Sequence, residues 1–406
     1  MPTENVTIPT SRGYELAGSI EMPTGLVRGA ALFAHCFTCT RQSRGAVAIS
    51  KELARQGIAT LRFDFAGLGG SGGDFGSAGF AGDVEDLVES ASYLCDRFGE
   101  GILLVGHSLG GAAVLAAADD IGVHRIAAIA TAGAPADVPH VLGNIDGDLD
   151  AIERDGDGDV TIAGRPFHLS KKFLDRTRSI DLLDEVSRLR IPLLFAHAPT
   201  DATVDISNAE RLFVAAKHPK SFISLAGADH LLTKQDDADF IARVISSWAR
   251  RYLPLRENWP RPEQGVVVCT GHGKFGTEVH TKSHSFIADE PKSYGGDDTG
   301  PTPYDLLLAA LGTCSAMTMK LYADSKRWPF EGVHIDLVHE KDHADDCTDC
   351  VEGKLDLKQQ ALVKTITLHG EGLSQEQREK ILAIAEKCPV HQTLEGHLRV
   401  VTKFAD

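Results

Sequence analysis

The chain has 406 residues, of which 43% are hydrophobic and 24% are charged, and its formal net charge at pH 7 is −16. A single core rarely grows to this length, so size and composition favour a globular protein of two domains. The acidic balance disfavours nucleic-acid binding, no apolar stretch is expected to span a bilayer, and the N-terminus lacks the basic and apolar regions of a secretory signal. We therefore expect a cytoplasmic protein that acts on small molecules, with no nucleic-acid or membrane partner.

Short apolar strands alternate with helical patterns over the first part of the chain. An antiparallel hairpin is predicted over 6–8 and 14–21, and the last helix over 237–253. Between them we predict strands at 29–35, 58–64, 101–106, 125–131, 191–197 and 219–227, and helices at 46–57 and 83–99, the latter with Asp83 as its N-cap. Continuous apolar strands that alternate with helices are typical of a doubly wound, mostly parallel α/β sheet.

Residues 136–190 interrupt this alternation with a segment that is longer than a strand–helix connection needs. It is rich in Asp and Gly and includes an amphipathic stretch, so we predict a small cap over the site. Within it, "DGDGDV" (155–160) resembles the start of a calcium loop, but the sixth loop position is not glycine and Pro166 occupies the position of the bidentate acid. We expect a solvated turn there.

A linker is predicted at 254–264, which carries three prolines and no periodicity. We therefore place one domain at 1–253 and a second at 265–406. The second reads as α+β, with strands around a buried central helix over 302–326 that starts near Pro303. A second helix over 374–388 opens with a capping box from Ser374 and Gln377.

A nucleophile motif, Gly106-His107-Ser108-Leu109-Gly110, lies between a predicted strand and a predicted helix. Asp201 and His230 follow later strands, in the chain order serine, acid, histidine. In this arrangement Ser108 attacks a carbonyl, His230 accepts its proton and Asp201 orients the imidazole. Asp205 is the alternative acid.

These motifs resemble those of the α/β-hydrolase family over residues 1–253, and "RFDFAGLGGSGG" (62–73) resembles its D-x-x-G-x-G-x-S loop. The resemblance implies a serine-dependent carboxylic ester hydrolase that forms an acyl-enzyme and needs no cofactor. It also implies that "AHCFTC" is the oxyanion loop, with backbone N–H groups of Phe37 and Leu109 holding the oxyanion. Cys36 stands where the family usually has glycine.

Cys36 and Cys39 also form a Cys-x-x-C pair, the spacing of a thioredoxin-like dithiol. A redox site would leave the serine, aspartate and histidine without a purpose, so the oxyanion loop is the favoured interpretation. The two cysteines are then expected to be small packing residues. A redox-sensitive pair that closes and inhibits the esterase is the alternative.

Two motifs in the second half, "GPTPYDLLLAALGTCSAMTMKLYADSK" and "IAEKCPVHQTL", resemble the OsmC/Ohr family of thiol-dependent hydroperoxide reductases. The resemblance covers about residues 265–406 and implies an intertwined homodimer. It assigns Cys314 as the peroxidatic thiol and Cys388 as the resolving thiol, with organic hydroperoxides as substrates and a dithiol as reductant.

The sequence departs from the peroxidase members at the groups that activate the thiol. Those members use an arginine from an early strand and a glutamate just before the catalytic helix. Here no arginine occurs between Gln264 and Cys314, and Asp305 takes the acidic position. Lys274, Lys282 or a histidine of "HTKSH" (280–284) are the candidate substitutes, because a lowered thiol pKa needs a cation or a hydrogen bond.

"HADDCTDC" (343–350) offers His343, Cys347 and Cys350 as soft ligands, with His339 or Asp346 as a fourth. A second cysteine pair is absent, so a polar loop without metal is the favoured interpretation.

Together these features predict a bifunctional esterase and thiol peroxidase. Two alternatives stay open. One is a hydrolase whose C-terminal domain only dimerises it or binds a ligand. The other is a peroxide-defence enzyme whose hydrolase domain acts on ester or peroxyacid products of oxidation.

Overall fold

The computed structural model describes residues 1–162, 164–254, 262–342, 359–396 and 398–404. The chain divides into two compact units, Met1–Thr299 and Gly300–Asp406. Most of the predicted linker at 254–264 lies outside the described residues, and the division between the units falls further along the chain. The domain boundary at 265 therefore stays a prediction.

Eight strands of the first unit form one sheet, and three more form a small separate sheet. Up to residue 224 the strands are β1 Thr3–Pro9, β2 Glu15–Glu21, β3 Gly29–Ala34, β4 Ile58–Phe63, β5 Ile102–His107, β6 Ile126–Ala132, β7 Ile145–Asp146, β8 Asp157–Ile162, β9 Arg165–Ser170, β10 Leu193–His197 and β11 Lys220–Ser224. The large sheet has the order β1-β2-β4-β3-β5-β6-β10-β11. Its first two pairings are antiparallel, as the predicted hairpin requires, and the others are parallel.

Every residue of β4 and β5 is buried, because helices cover both faces of the sheet. The helices of this unit are α1 Arg44–Arg55, α2 Phe75–Phe98, α3 Leu109–Ala116, α4 Ala118–Ile121, α5 Leu149–Asp155, α6 Lys171–Arg178, α7 Leu182–Arg188, α8 Ser207–Ala215 and α9 Gln235–Ala249. One apolar cluster contains residues of α1 and α9, and the other contains residues of α2, α3, α7 and α8. The predicted doubly wound α/β architecture is confirmed.

Helix α2 begins earlier than the sequence pattern predicts. Asp74 is its N-cap and accepts a hydrogen bond from the Gly76 amide at 3.0 Å. Gly79 has a φ of +59°, so the helix is kinked there, and Asp83 lies inside it. The expectation that Asp83 caps the helix is wrong, because a glycine-rich first turn with weak helical propensity is held by capping and packing instead.

Residues 136–190, which we call the cap segment, are inserted between β6 and β10. They include the antiparallel sheet β7-β8-β9 and helices α5, α6 and α7. Helix α5 ends at Asp155, and β8 already begins at Asp157. The solvated turn expected at 155–160 is therefore wrong for its last four residues, which pair with β9.

Three further antiparallel strands, β12 Val267–Thr270, β13 Thr277–His280 and β14 Ser285–Ala288, also belong to the first unit. The turn after β12 donates backbone hydrogen bonds from His272 to the Gly25 carbonyl at 3.2 Å and from Gly273 to the Thr24 carbonyl at 3.0 Å. The Glu278 carboxylate accepts from the Leu26 amide at 3.0 Å and from the Arg28 guanidinium at 2.7 Å. These contacts attach residues 267–280 to the loop before β3.

The second unit contains α10 Pro303–Ser325, β15 Gly332–Asp342, β16 Gln359–His369, α11 Gln375–Ala385 and α12 Pro389–Glu395. Strands β15 and β16 pair in an antiparallel ladder. The predicted start of α10 at Pro303 is confirmed, and so is the capping box of Ser374 and Gln377 at α11. Helix α10 has a capping box of its own, from Thr302 and Asp305.

Only one face of α10 is buried within its unit. Met319 and Ala323 pack with residues of α11 in a small apolar cluster, whereas Met317 and Leu321 are 65% and 71% exposed. The expectation of a wholly buried helix is therefore wrong for the unit by itself.

By length and composition alone, α10 is long and apolar enough to span a membrane, a property that core helices of globular proteins share. The expectation that no apolar stretch is long enough to span a bilayer is therefore wrong by length and composition.

Candidate active site

Ser108 lies in a sharp turn between β5 and α3. Its φ of +55° and ψ of −124° are unusual for a residue with a side chain, and they raise its hydroxyl above the sheet. Both flanking glycines are needed for this turn. A Cβ added at Gly106 would lie 2.3 Å from the Gly110 carbonyl oxygen, and one at Gly110 would lie 2.4 Å from the carbonyl oxygens of Ala34 and His35.

The structure brings the three residues of the predicted triad together. The His230 Nε2 atom lies 2.8 Å from the Ser108 Oγ atom, and its Nδ1 atom lies 2.7 Å from the Asp201 Oδ2 atom. The three residues come from the loops after β5, β10 and β11, so the parallel sheet places them at one edge. His230 can thus accept a proton from Ser108 while it donates another to Asp201.

Asp201 is suited to stay ionised beside this histidine. Burial raises the pKa of its carboxyl, but the hydrogen bonds from His230 and from the amides of Val204 and Thr203 outweigh that effect and hold the pKa below its usual value. The alternative acid, Asp205, instead accepts a hydrogen bond from the Ser207 amide at 2.9 Å. The structure therefore places Asp201, and not Asp205, against His230.

The predicted oxyanion loop follows β3, and Phe37 and Leu109 line the same cavity as Ser108. The close approach of Gly110 to Ala34 and His35 brings the start of α3 against the end of β3. In this loop Cys36 and Cys39 form a disulfide, and the Cys39 amide donates to the Cys36 carbonyl at 3.1 Å. The expectation of two free packing cysteines is wrong.

The Cys36–Cys39 disulfide spans the residue whose amide would hold the oxyanion. Thr38, inside the bridged turn, has a φ of +58°, and its carbonyl accepts a hydrogen bond from the Arg165 guanidinium of the cap segment. The disulfide therefore joins the two ends of this turn, and the hydrogen bond from Arg165 attaches the turn to the cap segment.

A cavity of about 680 Å³ opens above Ser108. Its polar side is formed by the Ser108, Asp201 and His230 side chains together with residues 203, 205 and 208. The apolar walls come from Phe37, Leu109, Pro135, Ile162, Ala202, Val204 and Leu231. Ile162 belongs to β8, so the cap segment supplies part of the wall. This volume and lining are typical of a site for a small organic ligand.

Three buried histidines fix the loops that surround the cavity. His107 ends β5, and its Nε2 atom lies 2.7 Å from the His230 carbonyl oxygen. His197 ends β10, and its Nε2 atom lies 2.8 Å from the Val204 carbonyl oxygen. His35 follows β3, and its Nδ1 atom lies 2.8 Å from the Cys36 carbonyl oxygen. A ring nitrogen that faces a carbonyl must carry a proton, so each histidine donates to one functional loop.

Burial keeps two of these histidines neutral. It lowers the pKa of His35, and burial together with the nearby His230 lowers the pKa of His107 to about 4. A neutral imidazole can pack in an apolar core and still donate a hydrogen bond to a loop carbonyl.

In the second unit, α10 and the start of α12 bring the two predicted thiols together. Cys388 is buried and accepts a hydrogen bond from the His391 amide at 3.3 Å, and Cys314 is close enough to lower the pKa of its thiol. The Ser315 Oγ atom lies 3.4 Å from the Cys388 Sγ atom. Cys314 is partly exposed, so of the two thiols it is the one within reach of solvent.

The surroundings of Cys388 favour its ionised form. Burial raises the pKa of its thiol, but the contacts with Ser315, the His391 amide and Cys314 and the charge of Lys364 outweigh that effect, so the pKa lies below its usual value. Asp305, at the acidic position of the motif, instead accepts from the Thr302 amide at 2.9 Å in the capping box of α10. Lys274 and Lys282 belong to the first unit.

The zinc alternative at His343, Cys347 and Cys350 lies outside the described residues. Among the residues that the structure describes, no group of three or more His, Cys, Asp or Glu side chains could hold a metal ion.

Comparison with known proteins identifies both parts of the chain. Residues 28–143 match the family model "Serine aminopeptidase, S33", and residues 295–403 match the model "OsmC-like protein". The esterase domain of a Rhodothermus marinus protein is 44% identical, with a TM-score of 0.51. The match covers 62% of this chain and 99% of that domain. The chain belongs to the α/β-hydrolase family. Its C-terminal part is an OsmC-like domain.

More distant structures share the fold of the α/β-hydrolase part. Est1E from Butyrivibrio proteoclasticus, solved with ferulic acid, is 21% identical and has a TM-score of 0.54, and the match covers 61% of this chain and 98% of that one. GrgF, an α/β hydrolase from a Penicillium species, is 18% identical with a TM-score of 0.52, and the match covers 62% and 99% of the two chains. No curated protein matches the chain.

Sequence reasoning missed several residues of the α/β-hydrolase site and the thiol site. His35, His107 and His197 each stand at the end of an apolar strand, a repeated signal that the printed sequence already shows. His391 lies within the quoted motif "IAEKCPVHQTL", three residues after Cys388, but was not singled out, whereas Lys364 had no comparable signal because it is distant in sequence from both thiols.

Proposed function

We propose that the first unit is a serine-dependent carboxylic ester hydrolase that works through an acyl-enzyme. The observation that carries the proposal is the position of His230, which lies within hydrogen-bond distance of both Ser108 and Asp201. The 44% identity to an esterase domain supports the same reaction class.

In the proposed acylation step, the Ser108 Oγ atom attacks the ester carbonyl while His230 Nε2 takes its proton. Asp201 stabilises the imidazolium that forms. The negative charge that develops on the carbonyl oxygen is met by the backbone N–H groups of Phe37 and Leu109. His230 then protonates the leaving alcohol, and the acyl group stays on Ser108.

In the proposed deacylation step, His230 takes a proton from water, which attacks the acyl carbon. The proton returns to Ser108, and the carboxylic acid leaves. Both steps use one histidine as base and then as acid, which fits a ring with Asp201 on one nitrogen and Ser108 on the other. The apolar wall of Phe37, Ile162 and Leu231 provides space for an acyl or alkyl group.

The experiment is a panel of p-nitrophenyl esters of increasing acyl length, assayed with the full chain and with Ser108→Ala. A rapid burst of nitrophenol equal to the enzyme concentration, together with an acyl adduct on the peptide that contains Ser108, is the expected result. Wild-type ester turnover by Ser108→Ala would overturn the proposal.

We further propose that the OsmC-like domain reduces organic hydroperoxides with Cys314 and Cys388. The supporting observation is that Cys314 is close enough to Cys388 to lower the pKa of its thiol, and that Cys314 is partly exposed whereas Cys388 is buried. The Cys314 thiolate attacks the peroxide, the O–O bond breaks, and the alkoxide takes up a proton and leaves as an alcohol. Cys314 is then a sulfenic acid.

Cys388 completes the proposed cycle. Its thiolate attacks the Cys314 sulfur, a disulfide forms, and the hydroxyl group takes up a proton from solvent and leaves as water. A dithiol of the solvent reduces that disulfide by exchange and is itself oxidised. The assay is the loss of cumene hydroperoxide in the presence of a dithiol, with Ser108→Ala as a control that retains both thiols.

The alternative is a hydrolase whose OsmC-like domain only dimerises it or binds a ligand. The exposed side chains of Met317 and Leu321 on α10 support the homodimer that the family resemblance implies. Hydroperoxide turnover that survives Ser108→Ala and disappears in Cys314→Ser favours the bifunctional proposal. Ester turnover alone favours the alternative. We retain a cytoplasmic location as part of the proposal.

A further inference from the structure

Lys364, on strand β16, lies beside the thiol pair in the second unit. Its Nζ atom is 2.9 Å from His391 Nδ1 and 3.5 Å from the Ala385 carbonyl oxygen. The same Ala385 carbonyl lies 3.5 Å from Ser315 Oγ, and the His391 amide donates to Cys388 Sγ. We infer that Lys364 is the positioning residue of the thiol site, a cation that stabilises the thiolate of Cys388.

This inference deepens the thiol-peroxidase part of the proposed function and rests on it. The sequence lacks an arginine between Gln264 and Cys314, so the thiol site needs a cation from elsewhere. Lys364 comes fifty residues after Cys314 in the chain, and β16 carries it to His391, the residue whose amide donates to Cys388 Sγ. The cation therefore acts on the resolving thiol.

Hydrogen bonds around Lys364 define the protonation states of the cluster. An ammonium group can only donate, so His391 must present a bare Nδ1 to it. The His391 Nε2 atom then carries the proton and faces the Glu395 carboxylate at 3.0 Å. In this arrangement His391 accepts from Lys364 and faces Glu395 with its other ring nitrogen.

Donors also surround the Cys388 sulfur. The His391 amide donates to it, and the Ser315 hydroxyl lies 3.4 Å away. Donors stabilise a thiolate more than a thiol, and a nearby ammonium adds to this. Arg378, another cation of this unit, instead donates to the carbonyls of Leu368 and Gly370.

A thiolate at Cys388 has a definite chemical use. Once a hydroperoxide has converted Cys314 to a sulfenic acid, the Cys388 thiolate attacks that sulfur, and the hydroxyl takes up a proton from solvent and leaves as water. The rate of this step follows the fraction of Cys388 that is ionised. Rapid capture shortens the life of the sulfenic acid and so limits its further oxidation to the irreversible sulfinic acid.

The first arm of the test titrates Cys388 in the full chain that also carries Cys314→Ser, whose hydroxyl keeps a donor. Thiolate absorbance at 240 nm is followed against pH, and the signal of the Cys314→Ser/Cys388→Ser variant is subtracted. Lys364→Gln keeps a donor for His391 but removes the charge, Lys364→Arg keeps the charge, and Lys380→Gln removes an exposed lysine of α11 as a matched control.

Lys364→Gln should reduce the thiolate fraction of Cys388 at pH 7 about tenfold, which corresponds to a pKa rise of one unit. Lys364→Arg and Lys380→Gln should titrate as the parent does. An unchanged titration in Lys364→Gln, or an equal change in Lys380→Gln, would overturn the inference. Circular dichroism confirms that each variant is folded, and Lys364→Met serves as the second uncharged variant.

The second arm leaves Cys314 in place and adds cumene hydroperoxide together with dimedone, which traps sulfenic acids. Lys364→Gln should raise the ratio of trapped Cys314 to Cys314–Cys388 disulfide about threefold, because the tenfold smaller thiolate fraction is partly offset by a more nucleophilic thiolate, and Lys364→Arg should stay close to wild type. An unchanged ratio counts against the role of Lys364. If wild-type Cys314 does not react with hydroperoxide, the proposed peroxidase fails, and the titration alone still decides whether Lys364 stabilises the thiolate.

Discussion

His107 and His230 are joined by a hydrogen bond in which the His107 ring donates from Nε2 to the His230 carbonyl oxygen at 2.7 Å. The residue before the proposed nucleophile thus holds the backbone of the proposed base. We expect His107→Leu to lower kcat for ester hydrolysis by about tenfold or more, because His230 loses its support and the carbonyl loses its donor. His107→Gln, which can also donate, should retain most of the activity. Equal losses in both variants would contradict this role.

The same histidine predicts a pH dependence of stability. The pKa of His107 is about 4 in the folded protein, below the usual 6.5, so between these pH values the unfolded chain binds a proton that the folded chain does not. Stability should therefore be intact above about pH 6.5 and fall as the pH decreases toward 4, by about 3 kcal/mol from this group. Urea unfolding at pH 7 and pH 4.5 should show a smaller loss for His107→Gln, and an identical loss would contradict the prediction.

Ser108→Ala should reduce ester hydrolysis by at least about a thousandfold, because it removes the nucleophile. Asp201→Asn should also be severe, since the neutral amide cannot stabilise the imidazolium. Asp205→Asn is the matched control and should be mild, because its carboxylate binds the Ser207 amide instead of His230. Steady-state kinetics on one p-nitrophenyl ester measures all three, and a severe Asp205→Asn would reverse the assignment of the acid.

Reduction of the Cys36–Cys39 disulfide should lower kcat about tenfold and leave KM nearly unchanged. The bridge restrains the turn that carries the Phe37 amide, which is the proposed oxyanion donor. Loosening one such donor should lower kcat by less than the 10²–10³-fold that follows its removal. Activity is measured before and after dithiothreitol, with thiol counting to verify that two thiols appear. Cys36→Ala should be slow and insensitive to the reductant. A rise in kcat on reduction would instead support a disulfide that inhibits the esterase.

Adding an organic hydroperoxide should yield a Cys314–Cys388 disulfide, which peptide mass mapping detects. Cys388→Ser should trap a sulfenic acid on Cys314, and Cys314→Ser should block oxidation of both positions. Neither substitution should change ester hydrolysis, because the two sites lie in different units. If Cys314 stays reduced while Cys347 and Cys350 oxidise, the thiol chemistry belongs to 343–350.

Limited proteolysis should cut first between Leu253 and Gly265, where the sequence has little to bury. The two fragments should nevertheless elute together from a sizing column, because Glu278 and the turn after β12 bind the loop that contains Arg28. Arg28→Ala should weaken this association. Separate elution of the wild-type fragments would show that these contacts do not hold the C-terminal fragment.

The sheet could be predicted because buried parallel strands leave continuous apolar runs, and the serine, aspartate and histidine because each follows such a run. Helix starts that depend on glycines and capping residues were harder to predict. The start of α2 depends on Asp74 and a kink at Gly79, and the apolar pattern is visible only from about residue 83 onward. A Cys-x-x-C spacing does not tell whether Cys36 and Cys39 are joined, since that depends on how the turn is held.

Contacts between distant segments account for what the sequence could not reveal. The position of Lys364 beside Cys388 depends on how β16 packs near α12, and neither periodicity nor spacing encodes it. The docking of Glu278 on Arg28 likewise joins segments 250 residues apart.

Under the proposed function, the cap segment separates selectivity from chemistry within one chain. Ser108, Asp201 and His230 all lie outside residues 136–190, and the loops that carry them are fastened to the ends of β5 and β10 by histidines. The cap segment reaches the cavity through side chains such as Ile162 and touches the oxyanion turn through Arg165. Under the proposed function, sequence drift or a graft within 136–190 can therefore change which ester is accepted while the reaction stays the same, provided that Arg165 is kept.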